Sequence, residues 1–196
     1  TMWFRQDRYE LCMYDFSQDK FAGSGVGEVN VIIRSLHKPG VWVNLSQAPH
    51  VMRLTQRDMK VQIEEDIHIG GVTGLVEDKD GNLWIAGWTD MHVKRPDEDA
   101  LIASGGDVPV MQFLISDVKG EVLGVSNENK IYQLNCAGGR ISCELKGTVS
   151  ALLEGEGVNS VCMDRKGRLW FNTTLGRVLR SDETMNVFEN VPLDDE

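Results

Sequence analysis

The ten residues from Asp78 to Gly87, DKDGNLWIAG, are nearly written again from Asp164 to Thr173 as DRKGRLWFNT, at an offset of 164 − 78 = 86 residues. No helix or strand periodicity produces such an offset, whereas two copies of a unit of roughly 43 residues do. A third copy falls between them: DVKGEVLGVS from Asp117 keeps Asp, Lys, Gly and an aliphatic residue, with Leu123 in place of the tryptophan. Upstream, SLHKPGVWVN at Ser35–Asn44 keeps Gly and Trp with one residue fewer between them. The opening WFRQDRYELCMYD from Trp3 resembles the stretch after the tryptophan in the later copies. The markers Trp3, Trp42, Trp84, Leu123 and Trp170 are therefore spaced by 39, 42, 39 and 47 residues.

Each copy divides into four short apolar runs, as VTGLVED, LWIAGW, MHVKRP and ALIAS illustrate around Trp84. Their length, their Val, Ile, Leu and aromatic content and the Gly, Asn and Asp clusters between them predict strands, and no window has the i, i+3, i+4, i+7 pattern of an amphipathic helix. The Asp-x-x-Gly at the head of each copy reads as a turn, with Asp bonding nearby amides and Gly accepting positive φ. Asp78, Asp80 and Asn82 also resemble part of a calcium loop, but the EF-hand spacing and closing Glu are missing. Four strands every 40–45 residues is the spacing of a β-propeller blade, a four-stranded antiparallel sheet stacked on its neighbours around a channel. The recurring Trp3, Trp42, Trp84 and Trp170 then read as wedges between sheets, the alternative being an aromatic ligand platform.

VTGLVEDKDGNLWIAG and VNSVCMDRKGRLWFNT resemble the two-component regulator propeller repeat, an apolar strand followed by Asp-x-x-Gly-x-Leu-Trp and a short aliphatic run. The resemblance implies an all-β chain of about four to five four-stranded blades, part of a roughly seven-bladed propeller. It also implies the extracytoplasmic, periplasmic sensor region of a hybrid two-component histidine kinase, of the kind that glycan-degrading bacteria use. Approximate blades are 1–27, 28–70, 71–106, 107–156 and 157–196. Because the chain begins inside a copy, it reads as a piece of a longer polypeptide, with any leader or membrane helix outside it. The expected partners are the remainder of the same propeller and a small-molecule or oligosaccharide ligand. Exposed terminal blade faces also predict self-association.

With 30 acidic and 20 basic residues the formal charge is −10, which argues against a nucleic-acid partner. A hydrophobic fraction of 41% is ordinary for a folded domain, and no run approaches the roughly 18 apolar residues of a membrane span. The acidic LDDE at the end reads as a solvated tail or inter-blade loop. Cys136 and Cys143 flank AGGRIS, and a hairpin turning at its middle sets them opposite each other, as a disulfide or as two free thiols. Cys162 lies in a strand and is expected to fill core volume. The cysteines make no zinc pattern, and no cofactor or metal is expected.

In a propeller, ligands bind at the loops joining the second strand to the third and one blade to the next. Here these include Thr89–Met91, Asn127–Asn129, Thr174–Gly176, Ile67–Gly71 and Ser104–Pro109. Trp88 stands outside the tryptophan column, beside Asp90. An indole next to a carboxylate suits a sugar, whose C–H face packs on the ring while its hydroxyls need acceptors. The plainer reading is that Trp88 covers the blade edge and Asp90 supports a turn. His68 and Asp107, from neighbouring inter-blade loops, complete the candidate set of Trp88, Asp90, His68 and Asp107. His37, His50, His68 and His92 form no His-x-His or His-x-x-x-His pair and no G-x-S-x-G is present, so no catalytic residue is assigned to this region. The alternatives are a lyase- or lactonase-like propeller enzyme and a non-catalytic structural propeller.

Overall fold

In the computed structural model, which describes residues 1–6, 10–153 and 155–192, the apolar runs are strands and the Asp and Gly clusters are their turns. The LDDE tail lies outside the described residues. Helix is confined, among the described residues, to one turn, α1 (Ser150–Leu153). No described helix is long and apolar enough to cross a membrane. The protein is all-β, with four antiparallel sheets in the manner of β-propeller blades.

The chain forms two compact units, Thr1–Leu75 and Val76–Glu196. In the first, β1 (Met2–Arg5), β2 (Glu10–Asp15), β3 (Lys20–Arg34), β4 (Val41–Leu45), β5 (His50–Arg57) and β6 (Lys60–His68) pair in sequence order as one sheet. This continuity depends on β3. Its first part pairs with β2 and its second, from Val29 to Arg34, with β4. Between them Gly25 and Gly27 take φ of 68° and 112°, values that side-chain-bearing residues rarely adopt, so the strand can change direction there without breaking. The core of this unit gathers Leu11, Val29, Val43 and Leu54, with Trp3 packed against them.

Three sheets of four strands complete the chain. They are β7 (Val72–Glu77) to β8 (Leu83–Gly87), β9 (Met91–Lys94) and β10 (Leu101–Ala103); β11 (Met111–Ser116) to β12 (Val122–Ser126), β13 (Lys130–Ala137) and β14 (Arg140–Thr148); and β15 (Val158–Met163) to β16 (Leu169–Thr173), β17 (Val178–Ser181) and β18 (Phe188–Val191). The first turn has the same geometry in each. Asp78 N, Asp117 N and Asp164 N donate to the carbonyls of Asn82, Glu121 and Arg168, while Gly81, Gly120 and Gly167 donate back to the Asp carbonyls. All three glycines have positive φ, 83°, 74° and 80°. Adjacent turns are joined: Lys79 N donates to Gly120 O at 2.9 Å, and a Cβ on Gly120 would lie 2.7 Å from Lys79 Cβ.

Two apolar layers hold the three sheets together. Trp84, Ala86 and Val93 of one sheet meet Val122, Leu134 and Ile141 of the next. Leu123, Val125 and Ile131 meet Leu169, Phe171 and Leu179. Side chains alternate between the faces of a strand, so Leu169 and Phe171 point into this second layer and Trp170 points away from it.

Trp170 takes the same face of its strand as Trp84, but no apolar layer of the described residues covers it, which corrects the expectation that every repeated tryptophan is a wedge. Trp84 is only 2% exposed and Trp42 is also buried, but Trp170 is half-buried, with the Arg168 and Arg180 guanidinium carbons 5.8 and 5.3 Å from its ring centroid. Cys162 pairs with Trp170 across strands and is exposed rather than in the core. The disulfide reading also fails. The β13–β14 hairpin turns at Gly138–Gly139, which sets Cys136 opposite Ile141 and Cys143 opposite Leu134, and both thiols are free.

Candidate functional site

The turn between β8 and β9 is closed by Gly87 N donating to Asp90 O at 2.8 Å. It projects Trp88 into solvent with 75% of its surface exposed, against 2% for Trp84 four residues earlier. Asp90 Oδ2 lies 3.6 Å from His92 Nε2, and the other ring nitrogen of His92, Nδ1, is buried without a hydrogen-bond partner. Ser104 holds the base of the turn: its Oγ accepts from Met91 N at 3.1 Å, and its own N donates to Met91 O at 2.8 Å. The arrangement offers a broad exposed apolar surface two residues from a carboxylate, on a turn anchored to a sheet. His92 is not among the candidates that the sequence suggests. Its position, two residues after Asp90 at the start of β9, is the signal that points to it.

Asp107 follows Ser104 in the β10–β11 connection, but its carboxylate is committed to Arg140, 2.8 Å away, with both side chains largely exposed. His68 belongs to the first unit, at the end of β6, where its ring meets that of His50 edge-on at 5.3 Å. Asp66 Oδ1 lies 2.8 Å from His50 Nδ1.

The equivalent turn of the last sheet, between β16 and β17, projects Leu175 with 76% exposure. Beneath it Arg177 donates to Leu152 O at 2.8 Å and pairs with Glu156, whose side chain is only 7% exposed. The Thr173 hydroxyl and Arg177 hold the Glu156 carboxyl below the ordinary carboxylate range against the opposing effect of burial. This pair ties the α1 segment to the loop, and Leu153 is inserted into the second apolar layer.

A cleft of about 180 Å³ lies at the other set of turns, lined by Asp78, Asp80, Asn82, Trp84, Glu121 and Cys136 among others. Asp78, the first residue of the possible calcium loop, has its oxygens engaged. Its carboxylate accepts from the Asp80 and Asn82 amides, the Asn82 side chain and Trp84 Nε1. The turn reading accounts for these contacts. Among the described residues no group of three or more His, Cys, Asp or Glu could hold a metal.

This architecture is that of the β-propeller class, and solved propellers match it. A streptogramin B lyase superposes with a TM-score of 0.70 at 16% identity over 98% of this chain and 65% of its own. Virginiamycin B lyase from Staphylococcus aureus, in a catalytically inactive form with quinupristin, gives 0.69 at 13% over 99% and 70%. The extracellular domain of a hybrid two component system from B. thetaiotaomicron gives 0.66 at 14% over 96% and 27%. No curated protein matches the chain in sequence. The two component regulator propeller family matches residues 68–89 and 152–174, the segments holding the Asp78 and Asp164 motifs. The chain carries two component regulator propeller repeats.

Proposed function

We propose that this chain is the ligand-sensing propeller region of a hybrid two-component signalling protein, facing the periplasm and binding an oligosaccharide. The observation that carries the reading is Trp88. It is a large aromatic held almost wholly in solvent by a tightly bonded turn, next to the Asp90–His92 pair, where burial would be the usual fate of such a side chain. Pyranose C–H faces stack on an indole, and the Asp90 carboxylate supplies acceptors for hydroxyls. The family match at 68–89 and 152–174 supports the two-component assignment, and the likeness to an extracellular two-component domain supports the location. The rest of the sensor protein, including further blades of the same propeller, is the proposed protein partner.

Calorimetry against a glycan panel tests this reading, with Trp88→Ala as the control. One glycan is expected to bind and to lose at least tenfold in affinity in the variant, because stacking is removed. A panel without any binder, or a binder indifferent to Trp88, overturns it. The likeness to two lyases favours an enzyme as the second reading. Turnover of a bound candidate, rather than simple retention, would select it.

A further inference from the structure

His50 opens β5 and His68 closes β6, and the two are direct partners in the antiparallel ladder although 68 − 50 = 18 residues separate them. Partners in such a ladder project from the same face with Cβ atoms about 4.5–5.5 Å apart. Their ring centroids lie 5.3 Å apart. Two imidazoles bound through nitrogen at about 2.0–2.1 Å to one tetrahedral metal place their centroids roughly 5 Å apart, so the spacing is that of a chelate. The ends of both strands are held. His50 N donates to Ala48 O and Ile69 N to Pro49 O, both at 2.8 Å.

Asp66 adds a second, independent feature. Its Oδ1, 2.8 Å from His50 Nδ1, accepts the proton there and so leaves Nε2 of His50 as the lone-pair nitrogen. A carboxylate behind a histidine in this way orients metal-binding imidazoles and makes them more basic. The His68 side chain makes no hydrogen bond among the described residues, so its ring is available, and both histidines reach solvent.

We propose that His50 and His68 form a two-nitrogen chelate for a divalent transition-metal ion, with Asp66 as the carboxylate that orients His50. Imidazole donors suit Cu²⁺, Ni²⁺ and Zn²⁺, and Cu²⁺ binds tightest in the usual order. No third protein ligand joins the pair among the described residues. The remaining coordination positions are open to water or to a small donor ligand. The proposal is independent of the oligosaccharide reading at Trp88.

Titration of the full chain with Cu²⁺ and with Zn²⁺ by calorimetry, paired with electron paramagnetic resonance of the Cu²⁺ complex, tests it. The expected result is one site with two equatorial nitrogens. Affinity should fall at least tenfold in His50→Gln and in His68→Gln, about tenfold in Asp66→Asn, and stay unchanged in His37→Gln. Because both histidines are surface residues, far-ultraviolet circular dichroism of each variant should match the parent. Equal binding by the parent and the His50→Gln/His68→Gln double variant, or a spectrum with fewer than two nitrogens, overturns the proposal.

Discussion

Trp84 Nε1 donates to Asp78 Oδ2 at 2.8 Å, and 86 residues later Trp170 Nε1 donates to Asp164 Oδ2 at 3.0 Å. The repeated Asp and Trp, six positions apart, are thus the two ends of one bonded unit. The aspartate closes its turn with one oxygen and orients the indole with the other. Where Leu123 replaces the tryptophan, Asp117 keeps only the turn, accepting from the Lys119 and Glu121 amides at 2.8 Å. Where the spacing changes, Trp42 is buried with its Nε1 unbonded, and Leu36 rather than an aspartate stands six positions before it.

That difference predicts unequal responses to a mild substitution. Trp84→Phe leaves Asp78 buried without one of its donors and is expected to cost about 1–3 kcal/mol. Trp42→Phe removes an indole N–H that has no partner and should cost less than Trp84→Phe. Urea midpoints of the two variants, compared with the parent, give the order.

Truncation should separate the tryptophans by what lies against them. Trp84→Ala opens a cavity between two sheets and is expected to cost about 3–5 kcal/mol. Trp170→Ala, on a face where two arginines lie over the ring, should cost roughly 1–2 kcal/mol, and Trp88→Ala no more than about 0.5 kcal/mol. Equal losses at Trp84 and Trp170 would mean that Trp170 is covered in solution.

Acid should reveal the Asp164 turn. Burial opposes its charge, but Trp170, the Arg168 side chain and the Arg168 and Lys166 amides outweigh it and hold the carboxyl well below its ordinary value of 3.8. The unfolded chain therefore binds this proton more readily. The stabilisation is complete above about pH 4 and is lost as pH falls through the folded value. The stability gap between the parent and Asp164→Asn is expected to be widest at neutral pH and to narrow below about pH 4, as read by denaturation midpoints across pH.

Thiol labelling should follow exposure and protonation. Burial pushes the Cys136 and Cys143 thiols up, and burial with the nearby Glu10 charge pushes Cys12 up, so all three hold little thiolate at neutral pH. Cys162 is exposed and is expected to react first with a disulfide reagent, followed much more slowly by the others. Mass spectrometry of the partly labelled chain identifies the order.

On the first sheet Met2, Tyr14 and Phe21 lie in one cross-strand row, with Phe4 edge-on to Phe21 at 5.9 Å and Phe21 72% exposed. Apolar patches of this kind are rarely left in water. Self-association that rises with concentration is the expected outcome in light scattering coupled to size exclusion, and Phe21→Lys should weaken it. A monomer at every concentration would remove self-association from the proposed partners.

The repeats, the turn geometry at Asp78, Asp117 and Asp164, the strand lengths and the blade class were all legible in the chain, because each depends on residues within a few positions of one another. The prominence of Trp88 was legible too, as a tryptophan out of the repeating column. Tertiary structure decided the rest. Two near-identical motifs gave a buried Trp84 and a half-buried Trp170, since the strand sets only which face a side chain takes, not whether another sheet meets that face. Centring the hairpin on Gly138–Gly139 rather than one residue later shifted the pairing of Cys136 by two positions, a choice the glycines allow either way. Arg140 drew Asp107 to itself, and the β5–β6 register brought His50 to His68 across 18 residues. These outcomes depend on contacts between segments far apart in sequence, which local periodicity cannot encode.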